Sequence, residues 1–146
     1  MKIMGCPCGS REVTIKRPRI DRGSSCGDNN KKYIDCCGRY LDAGEIALTA
    51  EVLMRSRYTA YSLGREDYLL ATWYHSTRPA LFELKNGSCN TWLGLEVKRH
   101  EQLTLDYAIV EFVARYKVNG RACRLHETSR FVRKVGQWFY VDGDIA

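Results

Sequence analysis

The chain has 146 residues, 45% of them apolar and 27% charged, which suits one ordinary folded domain with a small appendage. No apolar run approaches the roughly 20 residues of a membrane-spanning helix, and the opening "MKIMGCPCGS" lacks the apolar stretch of a secretory leader, so the expected compartment is the cytoplasm. The formal net charge is +6, and Arg11 to Lys32 holds seven basic residues against three acidic ones, which points to an acidic partner if that stretch binds anything.

In chain order, residues 1 to about 44 are rich in cysteine, glycine and basic residues and show little periodicity. Val13 and Ile15 alternate with charged residues in "REVTIKRPRI" (11–20), enough for one short edge strand that Pro18 would stop. "RGSSCGDNNKK" (22–32) is a dense run of turn formers and reads as a loop.

The composition changes at Thr49. Thr49 suits a helix N-cap, Glu51 its first turn and Gly64 its end, while Ala50, Leu53, Met54, Tyr58 and Tyr61 recur at three- and four-residue spacing on one buried face. A second helix is expected over "REDYLLATWYH" (65–75), with Tyr68, Leu69, Thr72 and Trp73 facing inward and Pro79 closing the pair. From Asn90 the period becomes two. "TWLGLEVKRHEQL", "YAIVEFVARYKV", "RACRLHETSRFVRK" and "QWFYVDG" read as four strands, and the glycine-bearing turns "VNG" (118–120) and "KVG" (134–136) suit an antiparallel meander. Helices on one face of a curved antiparallel sheet make an α+β domain.

Five of the seven cysteines (Cys6, Cys8, Cys26, Cys36 and Cys37) lie in the first 37 residues. In a reducing compartment such clustering favours metal ligation over disulfides, whereas the isolated Cys89 and Cys123 read as small buried hydrophobes. Zinc takes four thiolates in a tetrahedron. Pro7 and Gly9 fit the sharp turn that lets Cys6 and Cys8 share one ion. Adjacent side chains normally diverge, so Cys36 and Cys37 need an irregular backbone, which Gly38 permits. The four make a closed, structural site; Cys26 is an alternative ligand in place of Cys6 or Cys8.

"CPCGS" and "KKYIDCCGRY" resemble the two halves of the SEC-C motif, the zinc-binding element at the C-terminus of the preprotein translocase ATPase SecA. The motif has eight residues between its cysteine pairs, and here 27 separate Cys8 from Cys36. Closing the longer loop costs only about 1 kcal/mol more, against roughly ten times that from structural zinc. A second partial match, "SSCGDNNKKYIDCCG" (24–38), puts Cys26 at a ligand position. The body of the chain, in "TAEVLMRSRYTAYSLGREDYLLATWYHSTRP" and "VEFVARYKVNGRACRLHETSRFVRKVGQWFYVDG", is similar to the bacterial YchJ-like family of SEC-C-containing proteins. That resemblance implies a nuclear transport factor two-like cone, helices packed on a strongly curved sheet. The expected division is a zinc-binding element at 1–44 and the cone at 45–146.

Relatives of that fold use an interior pocket for isomerase or dehydratase chemistry. Polar residues here that suit such a pocket are Tyr61, Trp73, Arg115 and His126, with His75, Glu111, Glu127, Ser129 and Asp142 behind them. No spacing singles out an acid–base pair, a phosphate loop or a nucleophile elbow, so no catalytic residue is assigned. Arg55 and Arg57, beside Tyr58 and Tyr61, suit either an anion site or ordinary salt bridges. The expectation is a non-enzymatic, zinc-stapled module that presents a basic surface to an acidic protein partner. By resemblance to the SecA element, that partner belongs to the export or ribosome-associated machinery. The alternative is a small-molecule or enzymatic pocket in the cone. RNA binding ranks last, because the basic stretch has no aromatic platform apart from Tyr33 at its edge.

Overall fold

The computed structural model describes residues 6–9, 32–80 and 90–146. The strand expected at 11–20, most of the loop after it, Cys26 and Cys89 lie outside the described residues. A 3-10 turn at Tyr33–Asp35 precedes three helices, α1 (Gly38–Leu41), α2 (Ala50–Leu63) and α3 (Glu66–Ala71). Four strands follow, β1 (Asn90–Gln102), β2 (Tyr107–Val118), β3 (Arg121–Lys134) and β4 (Gln137–Ile145), paired antiparallel in the order β1-β2-β3-β4. The fold is α+β, as the change of period implied. None of the helices among the described residues is long and apolar enough to cross a membrane.

Local chemistry sets the ends of α2. The Thr49 hydroxyl accepts from the Val52 N–H at 3.1 Å, and Gly64 takes φ 72°, from which the Arg65 N–H reaches back to the Ala60 carbonyl at 2.8 Å. Ala50, Leu53, Met54 and Tyr58 are buried against the sheet as expected, but Ser56, Arg57, Thr59 and Ala60 are buried too. A single apolar face does not describe this helix. Its further faces meet α3 and the N-terminal cysteines: Ser56 shares a 2.6 Å hydrogen bond with Tyr68, and Thr59 Oγ1 lies 3.7 Å from Cys6 Sγ.

The second helix is shorter than the sequence pattern implied. After Ala71 the Thr72 hydroxyl donates to the Tyr68 carbonyl, and the backbone leaves the helix to bond β4: Tyr140 N–H to Thr72 O at 2.9 Å and Tyr74 N–H to Tyr140 O at 2.7 Å. Tertiary pairing with β4 has overridden a continuing helical pattern.

Register shifts between Trp92 and Gly94, Val97 and Arg99, and Arg130 and Phe131 bend the sheet. Ala108, Val110, Phe112 and Ala114 of β2, Phe131 of β3 and Trp138 of β4 form the buried floor beneath α2. The Trp138 indole N–H donates to the Leu48 carbonyl at 3.3 Å and so ties β4 to the residue before the Thr49 cap.

Both tight hairpins put two consecutive residues at positive φ, Asn119 and Gly120 (50° and 77°) and Val135 and Gly136 (52° and 74°). That is the pattern of a type I′ turn, which favours Asn-Gly. A β-branched residue is strained there, and Val135 is fully exposed, so it gains nothing by packing. Val135→Asn is expected to stabilise the fold by about 1 kcal/mol, read as a higher urea midpoint at unchanged slope. A lower midpoint would mean that Val135 makes a contact worth more than the strain.

Candidate metal centre

The first cysteine pair sits on a tight turn. The Gly9 N–H bonds the Cys6 carbonyl at 3.1 Å and Gly9 takes φ 72°, so Pro7 and Cys8 form the bend between them. The second pair converges because the chain reverses at Cys36, at φ −125° and ψ −110°, between the 3-10 turn and α1. This brings the adjacent Sγ atoms of Cys36 and Cys37 to 4.0 Å, and Cys8 Sγ to 3.5 Å from Cys36 Sγ. All four sulfurs of Cys6, Cys8, Cys36 and Cys37 lie within 4.8 Å of one another. A tetrahedron with metal–sulfur bonds of 2.3 Å has sulfur–sulfur edges of about 3.8 Å, so the donor set has the size of a four-thiolate metal site.

Gly38 serves a different purpose from the one its sequence position implied. A Cβ there would stand 2.8 Å from the Tyr33 carbonyl oxygen, so glycine admits a close backbone approach rather than a left-handed conformation. Gly38→Ala is expected to cost about 1–3 kcal/mol through overpacking and to weaken metal retention, measured by chelator competition. Unchanged retention would show that the 3-10 turn can shift without moving the thiols.

Cys6, Cys8 and Cys37 are buried and Cys36 is half-buried. Hydrogen bonds from Cys36, Cys37 and Cys8 hold the Cys6 thiol far below the ordinary thiol range, whereas Cys36, Cys6 and Cys8 push Cys37 far above it. Four thiols this close cannot all ionise side by side; a divalent cation between them removes that obstacle.

The rest of the fold holds this cluster in place. Arg55 of α2 donates to the Cys8 carbonyl at 2.9 Å while lying 3.7 Å from Glu51. Arg65 bonds Asp42 Oδ1 at 2.7 Å and the Leu41 carbonyl at 3.0 Å, anchoring the end of α1, and the Tyr33 hydroxyl donates to Asp42 Oδ2 at 2.8 Å. Arg55 was legible as an anion contact or one half of a salt bridge; nothing in the local sequence placed the Cys8 carbonyl beside it.

The four residues singled out for a cone pocket do not come together. Tyr61 lies inside, beside Trp92 with ring centroids 6.1 Å apart. Trp73 stacks under the Arg57 guanidinium, 5.2 Å away, and also walls a cavity of about 490 Å³ by Tyr74, Arg78 and the β3–β4 hairpin. Arg115 and His126 belong to the opposite face of the sheet, a correction to the expected pocket. Strand alternation turns Leu125, Glu127 and Ser129 toward α2, which leaves His126 outside, bonded to Glu111 at 2.8 Å. Arg115 is exposed, 3.9 Å from Glu96. Cys123 is half-buried, not buried as expected, with its thiol 3.7 Å from the Arg121 carbonyl.

A family profile described as "YchJ, middle NTF2-like domain" matches residues 49–143. A UPF0225 protein of Polaromonas naphthalenivorans is 49% identical over 139 residues, covering 95% of this chain and 96% of its own. Another, from Methylibium petroleiphilum, is 50% identical over 140 residues, covering 96% of this chain and 88% of its own. Among solved structures, a SEC-C motif containing protein from Rhodopseudomonas palustris superposes with a TM-score of 0.75 at 28% identity, covering 98% of this chain and 99% of that one. A second SEC-C motif containing protein, from Psychrobacter arcticus, gives 0.71 at 29% identity, over 99% and 84% of the two chains. The chain belongs to the family of the YchJ middle NTF2-like domain and of the UPF0225 proteins.

Proposed function

We propose that Cys6, Cys8, Cys36 and Cys37 bind one structural zinc ion, and that the resulting staple presents a basic N-terminal surface to a protein partner. The observation that carries the metal assignment is the convergence of four sulfurs, three of them buried, to within 4.8 Å. The likeness to two SEC-C motif containing proteins supports it. Soft thiolate donors in a closed tetrahedral set favour zinc over magnesium or calcium, which take oxygen ligands. In this reading residues 1–44 are the metal-binding element and 45–146 the cone that supports it, and a reducing cytoplasm keeps the thiols free for metal.

The partner is an acidic face of the export or ribosome-associated machinery, inferred from the company the SEC-C motif keeps and from the charge of Arg11 to Lys32. The test is co-sedimentation of the purified, metal-loaded chain with purified ribosomes and, separately, binding to the purified export ATPase. Association that weakens with salt and disappears on chelation supports the reading. Association indifferent to metal, or none with either partner, contradicts it.

A further inference from the structure

The interior of the cone holds an unusual charge arrangement. Arg57 is 3% exposed, yet no carboxylate of the described residues lies within 4 Å of its guanidinium. Its Nη1 donates to the Leu69 carbonyl at 2.8 Å and to Thr72 Oγ1 at 2.7 Å, and the rings of Trp73 and Tyr140 lie 5.2 and 4.6 Å away; all of these partners are neutral. Glu127 lines the same small cavity of about 60 Å³, and its carboxylate accepts from the Tyr140 hydroxyl at 3.0 Å without an ion-pair partner among the described residues. Ser129, 1% exposed and facing that cavity, has a hydroxyl with no hydrogen-bond partner. Opposite charges therefore face one space without closing on each other, and a buried donor beside them is left over.

A second cavity of about 240 Å³ shares Met54, Tyr58, Tyr61, Phe112 and Glu127 with the first and continues toward Trp92, Ala114 and Leu125, an apolar wall. We propose that these two adjacent cavities together bind a small zwitterion with an apolar body, the chemistry of an apolar α-amino acid. Its carboxylate faces Arg57 and Ser129, its ammonium faces Glu127, and its side chain fills the space beside Trp92 and Leu125. A group carrying both charges supplies the buried Arg57 and the half-buried Glu127 each with a counter-charge, and charge-assisted hydrogen bonds are the strong ones in a dry site. A ligand carrying only one charge leaves the other side chain as before. This site is separate from the thiol cluster, so it stands or falls independently of the zinc reading.

The test is an amide-shift NMR titration of the full chain with L-leucine and L-phenylalanine. Two singly charged analogues of leucine, 4-methylpentanoate and 3-methylbutylamine, serve as controls. Saturable shifts at Phe112, Leu125 and Ser129 with the amino acids are expected, with each control about tenfold weaker or worse. Ser129→Ala removes an unpartnered buried hydroxyl, so the empty variant should melt no lower than the parent while binding about tenfold more weakly. Glu127→Gln should bring the amino acid down to the affinity of the carboxylate control. No saturable change at these residues, equal binding by either variant and the parent, or tighter binding of a singly charged control would overturn the proposal.

Discussion

Chelating the metal is expected to free residues 6–9 and 32–41 while the four-stranded sheet stays folded. Different interactions hold the two parts. Around the thiols, the non-metal ties among the described residues include the Arg55 bond to the Cys8 carbonyl, the Cys6 contact with Thr59, buried Leu41, the Tyr33–Asp42 hydrogen bond and the bonds of Arg65 to Asp42 and the Leu41 carbonyl. The Asp42–Arg65 pair is largely exposed and contributes little. Structural zinc in small thiolate sites contributes roughly 10 kcal/mol or more, far above these. The sheet ladders involve none of the four cysteines, although Cys6, Cys8 and Cys37 pack into the same buried cluster as Val110, Phe112, Phe131 and Trp138. Hydrogen exchange reads the result: the Tyr40 and Leu41 amides, bonded to the Cys37 carbonyl at 3.0 Å, lose protection, while β2 and β3 keep theirs. Cys8→Ser should do the same without chelator. Acid should act like chelator, because protons compete for thiolates, so affinity rises with pH and metal is released as pH falls. Unchanged protection after complete chelation would mean that packing alone holds the element.

Phe131→Ala is expected to produce the largest loss in the cone itself. Phe131 is 1% exposed, lies opposite Ala108 on β2 and Tyr140 on β4, and meets the Tyr140 ring at 5.8 Å. Removing a buried phenyl costs about 3–5 kcal/mol, since transfer energy and a cavity penalty add. That is a large share of the roughly 5–15 kcal/mol that holds a domain together. It corresponds to a fall in Tm on the order of 10–20 °C, and differential scanning calorimetry with metal present checks it. A shift of only a few degrees would show that β4 and α2 collapse into the space.

These two outcomes separate what local sequence could say from what it could not. Thr49 and Gly64 bracketed α2 because caps act within one helical turn, and the two glycine-bearing turns set the meander because a hairpin's register follows its turn. The convergence of the thiols was legible from the clustering of the cysteines and the resemblance to the SEC-C motif, with Cys26 left as an alternative ligand. Properties that depend on distant partners were not legible. The end of α3 is decided by Tyr140, nearly 70 residues later. The facing of His126 was ambiguous, since period two says which residues share a face but not which face meets the helix. Arg57 read as an anion contact or a salt-bridge partner, and only the packing of α3 and β4 around it reveals a buried charge with neutral partners.

The most direct test of the central claim is zinc content per chain, by elemental analysis of the purified protein and of Cys→Ser variants at Cys6, Cys8, Cys26, Cys36 and Cys37. One zinc per chain is expected in the parent and in Cys26→Ser, with loss of the metal when any of the other four is changed. A parent without metal, or a metal lost with Cys26 and retained without Cys6 or Cys8, would contradict it.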